Sequence, residues 1–352
     1  MSHLIQPDLE ARAAGGLQGV YEGVSEIEVP AGSSLYRGKV RDVLGAGDRV
    51  VLVASDRISA FDRVLSTVPW KGEILSRISA WWFENTSDLV PNHLLSRDEL
   101  GGLDPLGVTG RAVAARRCEM APVELVVRGY LTGSAWRDYQ AGRLVSGIQL
   151  PSGLRYCQAF PSPLITPSTK EASGHDVPMS PAVIVSSGRV DADLWKEIEK
   201  AALTLFARGQ ELAAARGLIL VDTKYEFGLS NGTLLVADEI HTPDSSRYWY
   251  AADYPGRFSS GLEQHELDKE TFRRWLVERG FSGDGEAPGI TDEVRIQTAV
   301  RYAQAYEAIT GEIFQPIHQD AQAARIALAS MAREVLLNSG RNDPSARRTS
   351  II

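Results

Sequence analysis

Gly217-Leu-Ile-Leu-Val-Asp-Thr-Lys-Tyr-Glu-Phe-Gly228, Leu229-Ser-Asn-Gly-Thr233 and Leu234-Leu-Val-Ala-Asp-Glu-Ile-His-Thr-Pro-Asp-Ser-Ser-Arg-Tyr-Trp249 read as one unit. Two apolar runs flank an Asn-Gly turn signal, which predicts a β-hairpin. Side chains alternate along a strand, so Asp222, Lys224 and Glu226 leave one face, while Val221, Thr223, Tyr225 and Phe227 take the other. A solvent-facing strand with alternating charges would give the same pattern. Both strands, however, continue in residues of buried type, and Asp238 and Glu239 add two carboxylates on the return. Such a cluster is costly inside an apolar hairpin unless a divalent cation or a phosphate lies among the charges.

The register carries that reading. A two-residue turn at Asn231-Gly232 places Asp238 on the face opposite Glu226. A three-residue loop, Ser230 to Gly232, pairs Glu226 with Val236 and Lys224 with Asp238 and puts all four charges together. The second register, or a bulge with the same effect, is the expectation.

The 352 residues suffice for two lobes with sizeable cores. A hydrophobic fraction of 43%, a charged fraction of 23% and a net charge of −8 fit a globular chain and argue against nucleic acid as the main partner. Cys118 and Cys157 make no metal or disulfide framework, which fits a reducing cytoplasm. No basic stretch followed by an apolar core stands at the N-terminus, and no apolar run approaches the roughly 20 residues of a membrane span, so neither a signal peptide nor a membrane partner is expected.

In chain order, residues 1–30 read as an extension with a short helix. Ser34–Leu44, a Gly-Ala-Gly-Asp turn and Arg49–Ser55 read as strand, turn, strand. Gly38 would let a phosphate approach the backbone beside Lys39 and Arg41, but the pattern is not that of a Walker loop, and a basic exposed hairpin accounts for the same residues more readily. Ser55-Asp-Arg-Ile-Ser-Ala-Phe-Asp62 places dense polar groups at the end of an apolar strand. Lys71–Glu84 reads as a helix with Ile74, Ile78, Trp81 and Trp82 inward. Gly110–Arg117 reads as a strand, and Pro122 ends ladder pairing, so the connection between lobes falls near 118–122. Val123–Val127 delivers Arg128 and Ser134 around two glycines, an anion-binding arrangement, and Ala135–Ala141 starts a helix. Pro161–Asp176 reads as a loop carrying Lys170, His175 and Asp176, without the Cys/His spacing of a zinc site. Helices are expected over Ala192–Arg216, Asp268–Gly280, Asp292–Thr310 and Asp320–Asn338. Arg341–Ile352 reads as disordered.

Two anion sites, Lys39/Arg41 and Arg128/Ser134, an acidic cation site at Glu226/Asp238 and a further cluster at Asp244–Arg247 share one theme. Together they point to phosphate chemistry with magnesium and to a second anionic substrate. A kinase and an ATP-dependent ligase both satisfy the residues, and so does a silent nucleotide binder.

Gly38-Lys-Val-Arg-Asp42, Ser55–Asp62, Val126-Val-Arg-Gly-Tyr-Leu-Thr-Gly-Ser134, Thr166-Pro-Ser-Thr-Lys170, Asp222-Thr-Lys-Tyr-Glu-Phe-Gly228 and Asp238-Glu…Thr242-Pro-Asp-Ser-Ser-Arg247 occur in that order. From about residue 31 to about 317 the chain thereby resembles the phosphoribosylaminoimidazole-succinocarboxamide synthase (SAICAR synthetase) family, in the longer form found in yeast. The resemblance implies an α+β fold of two lobes: a β-rich N-terminal ATP lobe at 31–120, and a larger α/β lobe with an antiparallel sheet at 121–317. An N-terminal extension at 1–30 and a C-terminal helix and tail at 318–352 flank them. It also implies an ATP-dependent ligase of de novo purine synthesis, which joins carboxyaminoimidazole ribotide (CAIR) to L-aspartate through an acyl phosphate.

By that resemblance, Gly38, Lys39, Val40 and Arg41 hold the ATP phosphates, and Arg117, Cys118 and Glu119 lie at the adenine. Glu226 and Asp238 bind Mg2+. Arg128, Ser134, Lys170, Asp176, Asp244 and Arg247 bind CAIR. Lys224 and Asp222 are the catalytic pair. The Ser55–Asp62 loop (Ser55, Asp56, Arg57, Ser59 and Asp62) is the candidate for aspartate recognition. Monomer and homodimer both remain compatible with the sequence.

Overall fold

The computed structural model of the chain describes residues 9–170, 176–317 and 321–337. Helix α1 (Leu9–Gly16) precedes β1 (Ser34–Arg37), β2 (Arg41–Ala46) and β3 (Arg49–Ala54). The expected single strand over Ser34–Leu44 is instead broken at Gly38-Lys-Val40. The turn there is closed by the Gly38 N–H, which donates to the Arg41 carbonyl at 2.8 Å. Hairpin β4 (Arg57–Ala60) and β5 (Arg63–Thr67) and helix α2 (Lys71–Thr86) follow, and β6 (Ala112–Arg116) completes an antiparallel sheet in the order β1-β2-β3-β6. Every residue of β3 is buried. Helix α2 buries Ile74, Ile78 and Trp82 as its pattern predicts, while Trp81 is only half-buried.

The chain passes at Arg117-Cys118 into a second antiparallel sheet. Its members are β7 (Glu119–Tyr130), β8 (Ala159–Thr169), β9 (Leu218–Ser230), β10 (Thr233–Ala237) and β11 (Ser246–Tyr250). Helix α3 (Gly133–Gln140) lies between β7 and β8, and α4 (Pro181–Ser186) and α5 (Ala192–Ala215) between β8 and β9.

Three expectations need correction here. Pro122 does not end a strand: it sits where the β7–β9 register shifts between Met120 and Glu124, a bulge that spares its missing N–H. The supposed loop from Pro161 is mostly strand, because β8 lies at the sheet edge, where prolines need not donate to a ladder. Ser246–Tyr250 is a strand that pairs with the first half of β9, while β10 pairs with the second half.

Helices α6 (Tyr254–Ser259), α7 (Glu270–Glu278), α8 (Asp292–Thr310) and α9 (Ala321–Leu337) complete the described elements. Helix α5 puts Ile198, Ala202, Leu205 and Phe206 into one core with Leu218, Leu220 and Tyr225 of β9. Helix α9 returns to the first sheet, where Leu328, Met331 and Val335 share a core with Leu44, Val51 and Val53. The result is an α+β fold. Residues 338–352, including the tail read as disordered, and His175 lie outside the described residues.

Candidate functional site

The hairpin adopts the two-residue turn, not the expected three-residue loop. Ser230 pairs with Thr233, and Glu226 pairs with Ala237 rather than Val236. Asn231 and Gly232 both have positive φ, 51° and 78°, as the tight hairpin turn with right-handed strand twist demands. In a continuing strand, Asp238 would then face away from Glu226. It does not, because β10 ends at Ala237 and Asp238 itself is left-handed, with φ of 64°. That one residue re-aims the chain, and its carboxylate pairs with Arg41 of β2. Glu226 and Asp238 both act on the Arg41 guanidinium, so one charged neighbourhood contains both.

Strand β9 presents its alternate residues as expected. Asp222 Oδ2 accepts from Arg247 Nη1 at 2.7 Å and from Arg128 Nη1 at 3.2 Å. Arg128 also donates to Thr166 Oγ1 at 2.8 Å and to Ser134 Oγ at 3.0 Å. Gly133, with φ of 59°, opens helix α3 directly against the Arg247 guanidinium, where a Cβ would fall 2.6 Å from Nη2. Two guanidinium groups, a hydroxyl and the first turn of a helix thus converge, which is the chemistry of a phosphate pocket. Burial draws the Arg128 pKa down, with the nearby Arg247 adding to it, and Asp222 opposes it.

Two residues along, Lys224 Nζ lies 3.2 Å from Glu124 Oε2 and also pairs with Glu226, which in turn pairs with Lys170. Burial works against the Lys224 ammonium, but Glu226, Glu124 and Asp238 outweigh it and hold its pKa above the usual range. Burial likewise opposes the Asp238 carboxylate, yet Arg41, Lys224 and Lys170 bring its pKa down to about 2. This is a charge-dense cluster in which each carboxylate already has a cationic partner.

The nucleotide candidates occupy two ends of the first sheet. The Gly38–Val40 turn lies beside the Arg41↔Ala54 pair, and Arg117–Glu119 beside the Ala46↔Arg49 end. Five ladder steps separate them, about 17 Å at roughly 3.3 Å per residue. Arg117 donates to the Gly47 carbonyl at 2.9 Å, Cys118 is half-buried beside Gly228, and Glu119 is exposed. Lys39 is exposed and pairs with Asp62.

Several expected ligands have other partners. Ser55 donates its hydroxyl to the Val40 carbonyl at 2.8 Å. Arg57 donates to the Gly38 and Lys39 carbonyls at 3.1 and 3.0 Å and to the buried Asp42. Both residues therefore hold the 38–40 turn. Asp56 is buried and accepts from Tyr21 N, Gly72 N and Arg111 Nη1. Of the five aspartate candidates, Asp62 is exposed and pairs with Lys39 of the turn, and Ser59 is half-buried within β4. Asp244 is buried as well: Lys71 Nζ lies 2.8 Å and Lys269 Nζ 3.6 Å from Oδ2, and the Tyr302 hydroxyl donates to Oδ1. Asp176 is exposed, at the far end of the undescribed 171–175 stretch.

Sequence reading missed Glu124, Lys71, Lys269 and Glu270. Glu124 had a usable signal, since it stands four residues before Arg128 on the same strand. The others come from helix termini, and only tertiary packing brings them to Asp244 and Arg247. A separate cleft of about 540 Å³, lined by Arg77, Trp81, Glu84, Arg97 and Leu106 among others, contains none of the candidate site residues.

The donors at Glu226 and Asp238 are all oxygens, with no soft ligand, which suits a hard cation. Among the described residues no cluster of three or more His, Cys, Asp or Glu side chains forms a closed metal cage. Mg2+ commonly binds through one or two carboxylates plus substrate phosphates and water, so the pair fits that mode. No helix among the described residues is long and apolar enough to cross a membrane.

The family model described as SAICAR synthetase matches residues 34–288. The phosphoribosylaminoimidazole-succinocarboxamide synthase of Bacteroides thetaiotaomicron is 46% identical over 296 residues, covering 82% of this chain and 91% of the relative. That of Legionella pneumophila (strain Lens) is 46% identical over 298 residues, covering 83% and 92%. A solved SAICAR synthase from Saccharomyces cerevisiae, complexed with SAICAR, superposes with a TM-score of 0.70 at 32% identity, over 84% of this chain and 99% of that one. With Asp222, Lys224 and Glu226 carried on one strand, these likenesses establish that the chain belongs to the SAICAR synthetase family.

Proposed function

We propose that this chain is the ATP-dependent ligase of de novo purine synthesis that condenses CAIR with L-aspartate to give SAICAR, ADP and phosphate. One observation carries the reading: a single face of β9 delivers Asp222 to the phosphate pocket and Lys224 and Glu226 to the carboxylate–lysine cluster. A ribotide anchored by its phosphate at the first reaches the second with its other end.

The chemistry needs that arrangement. A carboxylate is a poor electrophile. Transfer of the ATP γ-phosphoryl group to the CAIR carboxylate gives an acyl phosphate. The aspartate amine then attacks its carbonyl carbon, forming the amide bond, and phosphate leaves. Most of the acceleration comes from positioning and from shielding of charge.

Arg128, Arg247, Ser134 and the first turn of α3 bind the ribotide phosphate, and Asp222 orients both guanidinium groups. Lys224 lies against the reacting carboxylate and neutralises charge as the phosphoryl group arrives. Lys170 and Asp176 close the ribotide from the β8 side. Gly38, Lys39, Val40 and Arg41 line the triphosphate end of the first sheet, with Ser55 and Arg57 keeping the turn in shape, and Arg117, Cys118 and Glu119 line the base end. Glu226 and Asp238 would hold Mg2+, which when bound supplies charge neutralisation at the phosphates. Asp62, at the exposed tip of the β4–β5 hairpin, and Ser59, half-buried within β4, are the aspartate candidates that remain.

The two sheets have separate cores, which supports lobes at 31–120 and 121–317, although Ile58, Val68, Ile74, Ile78 and Trp82 of the first stretch pack into the core of the second sheet. The α9 helix, however, packs on the first sheet and belongs with it. Two free cysteines fit a cytoplasmic site of action. The test is phosphate release from ATP and CAIR with Mg2+, with and without aspartate. Aspartate-dependent SAICAR formation is expected. ATP turnover that needs no aspartate would instead make the protein a kinase.

A further inference from the structure

Lys71 is fully buried, at the first position of α2. Its ammonium lies 2.8 Å from Asp244 Oδ2 and 5.7 Å from the centre of the Tyr302 ring. Asp244 belongs to the segment 238–245 that joins β10 to β11. This strap begins with Asp238, beside the carboxylate–lysine cluster, and ends two residues before Arg247, at the phosphate pocket. Helix α2 touches the strap a second time, where Ser79 Oγ accepts from Ile240 N at 3.3 Å. The helix is itself fixed to the first sheet through Gly72 N, which donates to Asp56 Oδ1 at 2.9 Å.

The strap is not relaxed backbone. Asp238 and His241 are both left-handed, at φ of 64° and 55°. Non-glycine residues persist there only when their surroundings over-determine them. Beneath the strap the Tyr225 hydroxyl meets His241 Nε2, and the Tyr248 hydroxyl donates to the His241 carbonyl at 2.7 Å. Lys71, Lys269 and Tyr302 converge on Asp244 at its far end.

A buried ion pair is a poor stabiliser. Desolvation of the two charges offsets most of their attraction, and apolar residues of similar volume often serve stability as well or better. What the pair does supply is direction and register.

We propose that Lys71 is a positioning residue for the reaction: its ion pair with Asp244 fixes the strap so that Asp238 and Arg247 address the two ends of the ribotide–ATP pair together. The proposal rests on the ligase reading above, and it gives Asp244 a role in holding the strap in place of substrate contact. Lys71 touches no substrate. Its effect passes through Asp244 to Arg247 on one side and to Asp238 on the other, so one substitution weakens ribotide binding and the magnesium response together.

The experiment compares the native protein with Lys71→Met and with the charge-free double variant Lys71→Met/Asp244→Leu. Readouts are the melting temperature, the CAIR KM, the Mg2+ half-saturation and the calorimetric affinity for SAICAR without Mg2+. The double variant should melt within a few degrees of native, while CAIR KM and Mg2+ half-saturation rise about tenfold or more and SAICAR affinity falls in parallel, as for loss of other groups that orient ligands. Native kinetics and native SAICAR affinity in a folded double variant overturn the proposal. An unfolded double variant also overturns it, because the pair then supports the fold and not the site. If the native protein forms no SAICAR, the ligase reading fails, which is a separate outcome from native and double-variant proteins working equally well.

Discussion

Arg247 donates to Asp222 Oδ2 across the β9–β11 ladder at 2.7 Å, with both side chains largely withdrawn from solvent. The same oxygen accepts from Arg128, so one carboxylate holds two like charges apart in a pocket shaped for an anion. Asp222→Ala removes the carboxylate shared by two buried guanidinium groups, leaving Arg247 with Glu270 at 3.4 Å and Arg128 with hydroxyl partners only, which should cost about 3–5 kcal/mol of stability. Inorganic phosphate should then restore more of the lost melting temperature in the variant than it adds to the native protein. Equal phosphate responses in the two would separate Asp222 from the anion pocket.

Lys224 stands between Glu124 and Glu226 on the solvent-reaching face of β9. Lys224→Ala should keep the fold and lower kcat by about 10²–10³, the scale of losing one preorganised group at developing charge. The measurement is single-turnover phosphate release with saturating CAIR and aspartate. Near-native turnover would sink the assigned role.

Glu226→Gln removes the shared partner of Lys170 and Lys224 while conserving shape. The Mg2+ concentration for half-maximal rate should rise, or activity should vanish at any Mg2+. An unchanged magnesium titration would count against Glu226 as a ligand.

The hairpin, its charged face, the longer helices and the Arg128–Ser134 pair were legible because they are local. Alternation along β9 placed Asp222, Lys224 and Glu226 correctly, and Arg128 and Ser134 are six residues apart. The register was not legible. Alternation alone requires a slipped turn if Asp238 is to join Glu226, whereas the chain keeps the tighter turn and re-aims Asp238 by a left-handed residue. The jobs of Ser55, Asp56 and Arg57 were misread because a polar side chain that caps a distant backbone looks in sequence the same as one that waits for a ligand. Lys71 was invisible for the complementary reason. A lysine in an amphipathic helix reads as surface, and only packing of α2 against the strap buries it.

His241 and His93 give the pH dependence of stability a defined sign. Burial lowers the His241 pKa to about 3, and burial, with Arg41 and Arg116, lowers that of His93 to about 4. An unfolded histidine titrates near 6.5. Between pH 6.5 and 4 the unfolded chain therefore takes up protons that the folded chain refuses. Stability from these groups is complete above pH 6.5 and is lost on acidification, by about 1.4 kcal/mol per pH unit for each. Asp268 and Glu266 act oppositely, since burial raises them to about 7 and 8 and favours the folded state as pH falls. The clean readout is a difference. Denaturant midpoints for native and His241→Asn, taken from pH 7 to 4.5, should diverge most at pH 7 and converge on acidification. Parallel curves would show that His241 is not buried neutral.

The two halves of the C-terminal region should respond differently to truncation. Helix α9 buries Ala324, Leu328, Met331, Ala332, Val335 and Leu336 against the first sheet, in the core of Leu44, Val51 and Val53. That sheet carries the Gly38–Val40 turn and Arg41, so the helix supports the proposed nucleotide end of the site from behind. Leu328→Ala should destabilise by about 2–5 kcal/mol, as for other large buried aliphatic deletions. Ending the chain at residue 317 should uncover the apolar face of β3 and abolish soluble, active protein. Ending it at 338 retains every residue of the helix and should leave kcat and both KM values unchanged. Melting curves and steady-state rates on the two truncations check this directly. A large loss of activity on removing 339–352 alone would mean that the last residues contribute to the site, and an active, stable protein ending at 317 would remove α9 from the structural account.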